Sequence, residues 1–352
     1  MELQIVSKNK EEPIIITPGI EQSDVEIVIE PGQIKDVSII KPSSKVHKIN
    51  PFIEANTKNV NLSVLRNDCI IPVFSKDNEK TIAHQEFIQA TQNVVEKAFP
   101  HHTIELPEIR TSHQIKGRTA DAIYKNVNEL LDHEKTQYFE RMAFIIRIPS
   151  ITETINGQEL SLVVGGVRAY NKENLYSRKS YEKFQVFIGF QNMVCCNLCI
   201  STDGFKEEIR VGSYLELQSK ILELIQSYNA EKHLDKMREL SEQTMTEKQF
   251  AQLIGKARLY NYLPKDEKSA IPELMLIDSQ ISAIAKDYYQ DKSFSRDENG
   301  NINLWNVYNL FTGANKGSYI DSFLSRNVNA FDFSKGLANV INGDYNYHWF
   351  LS

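Results

Sequence analysis

Along the chain the spacing of apolar positions changes from helical to alternating and back again. In residues 81–98, Phe87, Ile88, Thr91, Val94, Val95 and Ala98 recur at helical spacing, with Thr81 in place to cap the helix. A strand at NDCIIPVF precedes it, and a second helix is expected over residues 119–142. The period then falls to two. MAFIIRIPS, ELSLVVGGVRAY and KFQVFIGFQ read as strands, with Phe184, Val186, Ile188 and Phe190 alternating onto one face. The Cys-containing stretch NMVCCNLCI continues this pattern, Asp203-Gly204 supplies a turn, and FKEEIRV returns as another strand. With no room for parallel crossovers, an antiparallel meander is the economical arrangement.

From about Gly212 the helical period resumes. Leu215, Leu222 and Ile225 form one stripe and His233, Met237 and Leu240 the next, while Thr246 with Gln249 makes a capping box for the helix carrying Phe250, Leu253, Ile254 and Ala257. IPELMLIDSQISAIAKDYY and INLWNVYNLFT are further helices joined by the loop SFSRDENGN, with Trp305 and Phe323 expected in the core. The fold class is therefore α+β: an antiparallel meander with packed helices, followed by a C-terminal helical region. Five of the eleven prolines fall within the first 51 residues and break up short apolar runs there. The expected division is an extended appendage over 1–48, an α+β domain over 49–212, and a helical region over 213–352 packed on it.

Composition narrows the function classes. A net charge of −6 over 352 residues argues against coating duplex DNA through overall charge and leaves room only for a local basic site. No apolar run approaches the roughly 18 residues that span a bilayer, and the start MELQIVSKNKEE lacks a signal-peptide core, so no membrane partner and a cytoplasmic location are expected. Cys195 and Cys199, if on one strand, share a face about 13 Å apart while Cys196 points away, so no single zinc joins them. Cys69 lies in another strand. Reduced, packed thiols are expected, with no metal and no cofactor.

The motifs that carry chemistry elsewhere are incomplete here. DENGNIN has its glycine at the fourth position of a calcium loop and Tyr308 at the twelfth, which reads as a solvated turn. GANKGS lacks the spacing and preceding strand of a phosphate loop and reads as a link between helices. The polar residues of 309–321 (Asn309, Thr312, Asn315, Lys316, Ser318, Asp321) fit either a buried hydrogen-bonding network or a binding surface. No catalytic residue is assigned, and an enzyme is disfavoured. Residues 167–184, VRAYNKENLYSRKSYEKF, differ from the rest. Arg168, Lys172, Arg178, Lys179 and Lys183 outnumber Glu173 and Glu182, with Tyr170, Tyr176 and Tyr181 between them. Cations for phosphates beside rings that stack bases are what single-stranded nucleic acid requires. Upstream, Arg110, His113, Lys116 and Arg118 would extend the patch if the fold joins the two loops.

SHQIKGRTADAIYK, EKTQYFERMAFIIRIPS, VFIGFQNMVCCNLCISTDG, QFAQLIGKARLY and INLWNVYNLFTGANKGSYIDSFLSRNVNAF resemble the signature segments of an uncharacterised bacterial protein family. That family is similar, more remotely, to phage/plasmid-like proteins of mobile elements. The likeness runs from about Asn67 to the C-terminus and leaves the appendage outside. It implies a role among replication, recombination and anti-defence functions. An antiparallel sheet backed by helices is also similar in outline to phage single-strand annealing proteins, a likeness of fold only. The leading expectation is a non-catalytic accessory of DNA metabolism that contacts single-stranded nucleic acid through Arg168, Lys172, Tyr176, Arg178, Lys179 and Lys183, with Arg118 nearby. Two alternatives stand beside it: a protein-interaction module modulating a host factor, and an enzyme whose site is assembled from dispersed residues.

Overall fold

The computed structural model describes the backbone of residues 4–5 and the whole of residues 50–71, 81–173 and 181–352. Its centre is a curled antiparallel sheet of seven strands. These are β1 (Lys58–Asn59), β2 (Glu108–Arg118), β3 (Lys135–Ile155), β4 (Gln158–Ala169), β5 (Glu182–Asn192), β6 (Leu198–Cys199) and β7 (Phe205–Val211). β1 to β6 lie in chain order. β7 joins the outer edge of β5 beside β6, pairing with residues 182–187 while β6 pairs with 190–191.

The turns follow from local chemistry. Ile155 and Gln158 pair across Asn156-Gly157, whose φ values of 48° and 74° are those of a two-residue hairpin turn, and Asn-Gly is the pair that adopts it most readily. Pro149, which has no N–H to give a ladder, falls in the register shift between Ile148 and Thr152. Asp203-Gly204, expected as a hairpin turn, instead belongs to a short 3-10 turn, Thr202–Gly204.

Both faces of the sheet are covered. Phe184, Val186, Ile188 and Phe190 point as expected into the larger core, beneath α1 (His84–Ala98), α2 (Tyr214–Ser227) and α3 (Ala230–Glu242). The opposite face carries a smaller core in which Ala143, Ile145, Val163 and Phe187 meet Phe52, Phe323 and Leu324. α4 (Glu247–Tyr260), α5 (Asp278–Gln290), α6 (Leu304–Asn315) and α7 (Ile320–Ile341) complete the C-terminal part. α7, at 22 residues about 33 Å long, contributes to both cores: Phe323 and Leu324 to the smaller, Phe331, Phe333 and Leu337 to the larger. The helical region shares one core with the sheet. Trp305, fully buried in α6, donates Nε1 to Oε1 of Gln158 on β4 at 3.0 Å.

Two helical expectations need correction. Residues 119–142 form no long helix: three short 3-10 turns occupy 120–134, and β3 begins at Lys135. Thr136, Tyr138, Phe139 and the isoleucines of β3 prefer a pleated, half-buried surface, and pairing with β2 decides the outcome. In α2 the buried stripe is Leu217, Ile221 and Leu224, whereas Leu215 is 75% exposed. The expected stripe chose the wrong face. No helix among the described residues is long and apolar enough to cross a membrane.

Candidate functional site

The residues proposed to hold nucleic acid fall into four groups. Tyr176, Arg178 and Lys179 lie outside the described residues. Arg168 is a correction. Its side chain is fully buried, Nε meeting Glu173 at 2.9 Å and Nη2 meeting Glu182 at 2.6 Å, while Nη1 donates to the carbonyl of Ile82. The guanidinium lies 4.5 Å from the Phe184 ring centre and 4.7 Å from that of Tyr170, which itself stacks on His84. A group with two carboxylate partners and two aromatic neighbours presents nothing to a phosphate. Burial weakens its hold on the proton, and the attraction of Glu173 and Glu182 more than reverses this, so Arg168 stays charged.

Lys172 and Lys183 are the two described cations of the segment that reach the surface, at 48% and 37% exposure. Both line an open cleft of about 370 Å³ floored by Val167, Ala169 and Phe184. Three carboxylates face them. Lys172 donates to the backbone carbonyl of Asp321 at 2.8 Å and lies 3.7 Å from its carboxylate, Lys183 pairs with Glu208 at 3.1 Å, and Glu207 adds a further negative charge. Two amines against three carboxylates give this cleft no net attraction for phosphate. Arg118 is not drawn into it. It lies at the far end of β2, opposite Lys135, and donates to the carbonyl of Lys125, while Arg110 is bound to Thr57.

The polar stretch 309–321 is largely a buried network. Asn309 donates to Trp305 O at 2.9 Å and its carbonyl accepts from Asn197 at 2.9 Å, Asn315 donates to Arg326 O at 3.0 Å, and Lys316 donates to Cys195 O. Asn309, Thr312, Asn315, Lys316 and Ser318 are all buried. Asp321 alone of the set reaches the cleft. The four cysteines are free; Cys195 and Cys196 lie in a turn, Cys196 with φ 60°, rather than on a strand. Burial pushes the Cys69 and Cys195 thiols up to about 12, which keeps them from acting as thiolates near neutral pH.

A different surface stands out once the fold is built. β2 and β3 pair from Glu108 with Ile145 to Arg118 with Lys135, and their connection, 119–134, carries Ile123, Tyr124, Val127 and Leu131 at 55%, 98%, 69% and 55% exposure. Ile115 on β2 is also exposed. The tip is held in shape: Glu134 is buried, accepts from the Leu131 N–H at 2.9 Å and pairs with Lys125, and Thr119 N donates to Glu134 O at 2.9 Å. Apolar side chains on a fixed backbone therefore face outward. A helix over 119–142 would not have displayed these four side chains on one connection between strands. Asn126, Asn128 and Asp132, turn formers within nine residues of Tyr124, are the signal that argued otherwise.

No curated protein and no solved structure matches the chain. A family model described as "Domain of unknown function, B. Theta Gene description (DUF3871)" matches residues 33–351. The match begins upstream of Asn67, the start of the resemblance in sequence, so the end of the 1–48 appendage falls within it. The chain belongs to this family of domains of unknown function.

Proposed function

We propose that the protein is an interaction module that docks a protein partner on the tip of the β2–β3 hairpin. The observation that carries this reading is the outward display of Ile123, Tyr124, Val127 and Leu131 on a connection whose own polar groups are internally bonded. Apolar and aromatic groups grouped on a protruding, ordered element are the usual material of an interface centre, and leaving them in water is unfavourable. Affinity capture from lysate of the native host cell tests it. Wild-type protein should retain a partner that the variant carrying Ile123→Ser, Tyr124→Ser and Val127→Ser releases, with thermal unfolding unchanged between the two. Equal retention by both would remove the hairpin tip from consideration.

A second reading keeps one observation in its favour. Lys172 and Lys183 both reach the surface and bracket, in sequence, the stretch holding Tyr176, Arg178 and Lys179, whose cations would have to outweigh the carboxylates of the cleft. Contact with single-stranded nucleic acid, as an accessory of DNA metabolism, would use these five. Titration with a labelled single-stranded oligonucleotide at two salt concentrations decides it: binding that weakens with salt, and whose salt slope flattens in an Arg178→Ala, Lys179→Ala variant, supports this reading. Absence of binding at low salt rejects it.

A further inference from the structure

We propose that a second cleft, between the first turn of α5 and the segment joining α6 to α7, binds a small oxyanion-headed molecule through the guanidinium of Arg326. The cleft has a volume of about 310 Å³ and borders the GANKGS stretch through Ala314, Gly317 and Ser318. Arg326 projects from α7 into it. Nη1 donates to Met275 O at 2.6 Å and to Gln280 Oε1 at 2.9 Å, and Nε is buried without a partner among the described residues.

What sets Arg326 apart is the lack of a counter-charge. Arg141, Arg147 and Arg168 each hold two carboxylates and Arg110 feels the charges of Glu108 and Glu54, whereas no carboxylate among the described residues lies within ion-pair distance of Arg326. Burial lowers its proton affinity, and no charge among the described residues offsets that cost. Nη2 makes no hydrogen bond among the described residues and is not sealed from the cleft as Nε is, so an anion there would supply both the missing charge and an acceptor.

The surroundings favour the same ligand. Ser318 Oγ accepts from Gln280 Nε2 at 3.2 Å, which leaves its hydroxyl hydrogen to donate. Gln280 is itself fixed, its Nε2 also reaching Ala314 O at 3.0 Å. Ser279 and Gln280, in the first turn of α5, line the cleft, and the Asp278 carboxylate in that turn is engaged by Tyr262 Oη at 2.7 Å. Ile277 and Ala283 supply apolar wall for a body larger than a bare ion.

Isothermal titration at constant ionic strength, with phenyl phosphate, benzoate and inorganic phosphate as probes, tests the proposal. Phenyl phosphate should bind wild-type protein more tightly than inorganic phosphate, and Arg326→Met should weaken it about tenfold or more, as loss of a charge-assisted hydrogen bond does. Because that change also removes the bonds to Met275 and Gln280, Ala283→Glu serves as the second variant: it puts a carboxylate into the cleft, leaves those bonds intact and should abolish binding. Benzoate binding without phenyl phosphate binding, lost in the same variant, assigns a carboxylate head. Binding of neither phenyl phosphate nor benzoate to wild-type protein, or binding undiminished by Ala283→Glu, overturns it.

Discussion

Arg168 and Trp305 illustrate what single residues decide here. Replacing Arg168 by Met takes the cation away from the buried Glu173 and Glu182 carboxylates and from the Ile82 carbonyl, so the cost should be about 3–5 kcal/mol, read from the denaturant midpoint. Lys172→Ala, at an exposed pair, should stay within about 1 kcal/mol of wild type. If the two variants unfold alike, Arg168 is not a buried anchor. Trp305→Ala should cost about 3–5 kcal/mol, since the ring is fully buried and Gln158 loses a donor. Trp305 was legible in the sequence because its apolar neighbours recur at helical spacing. Arg168 was not, because a cation between Val167 and Ala169 gives no sign that Glu173 and Glu182 fold back on it.

At the level of elements, local signals with a stated mechanism survived. The Thr246 and Gln249 box caps α4, with Thr246 N donating to Gln249 Oε1 at 2.9 Å, and the alternation in β5 places its phenylalanines as read. Thr81, by contrast, does not cap α1: the helix starts after Ala83, whose N–H is taken by Glu86 at 2.6 Å. Errors came where tertiary pairing overrides propensity, as in 119–142, or where two faces of a helix both carry leucines, as in α2. The seat of α1 on the sheet was invisible from spacing alone. It depends on Gly166, where a Cβ would meet Phe87 Cζ at 2.4 Å and Gln185 O at 2.7 Å. Gly166→Ala should therefore destabilise by about 1–3 kcal/mol through overpacking. An unchanged melting temperature would show that α1 does not press on β4 at this point.

For the whole molecule, two buried histidines set a dependence on acid. Burial holds His84 near pKa 3, aided by Arg168, and burial likewise holds His233 near 3. Unfolded, both titrate near 6.5. The unfolded chain thus takes up protons first, so stability is fully present above about pH 6.5 and falls as pH drops toward 3, by up to about 2.7 kcal/mol per unit for the two sites together. Denaturant midpoints that stay level between pH 7 and pH 5 would contradict the buried, neutral state of these rings. The outward-facing hairpin tip carries the functional claim, and a photo-crosslinking amino acid placed at Tyr124 in living cells tests it most directly, with a second at Tyr345, also exposed at 82%, as the control. A discrete adduct with another protein is expected from position 124 and none from 345. No adduct from 124, or the same adducts from both positions, would contradict it.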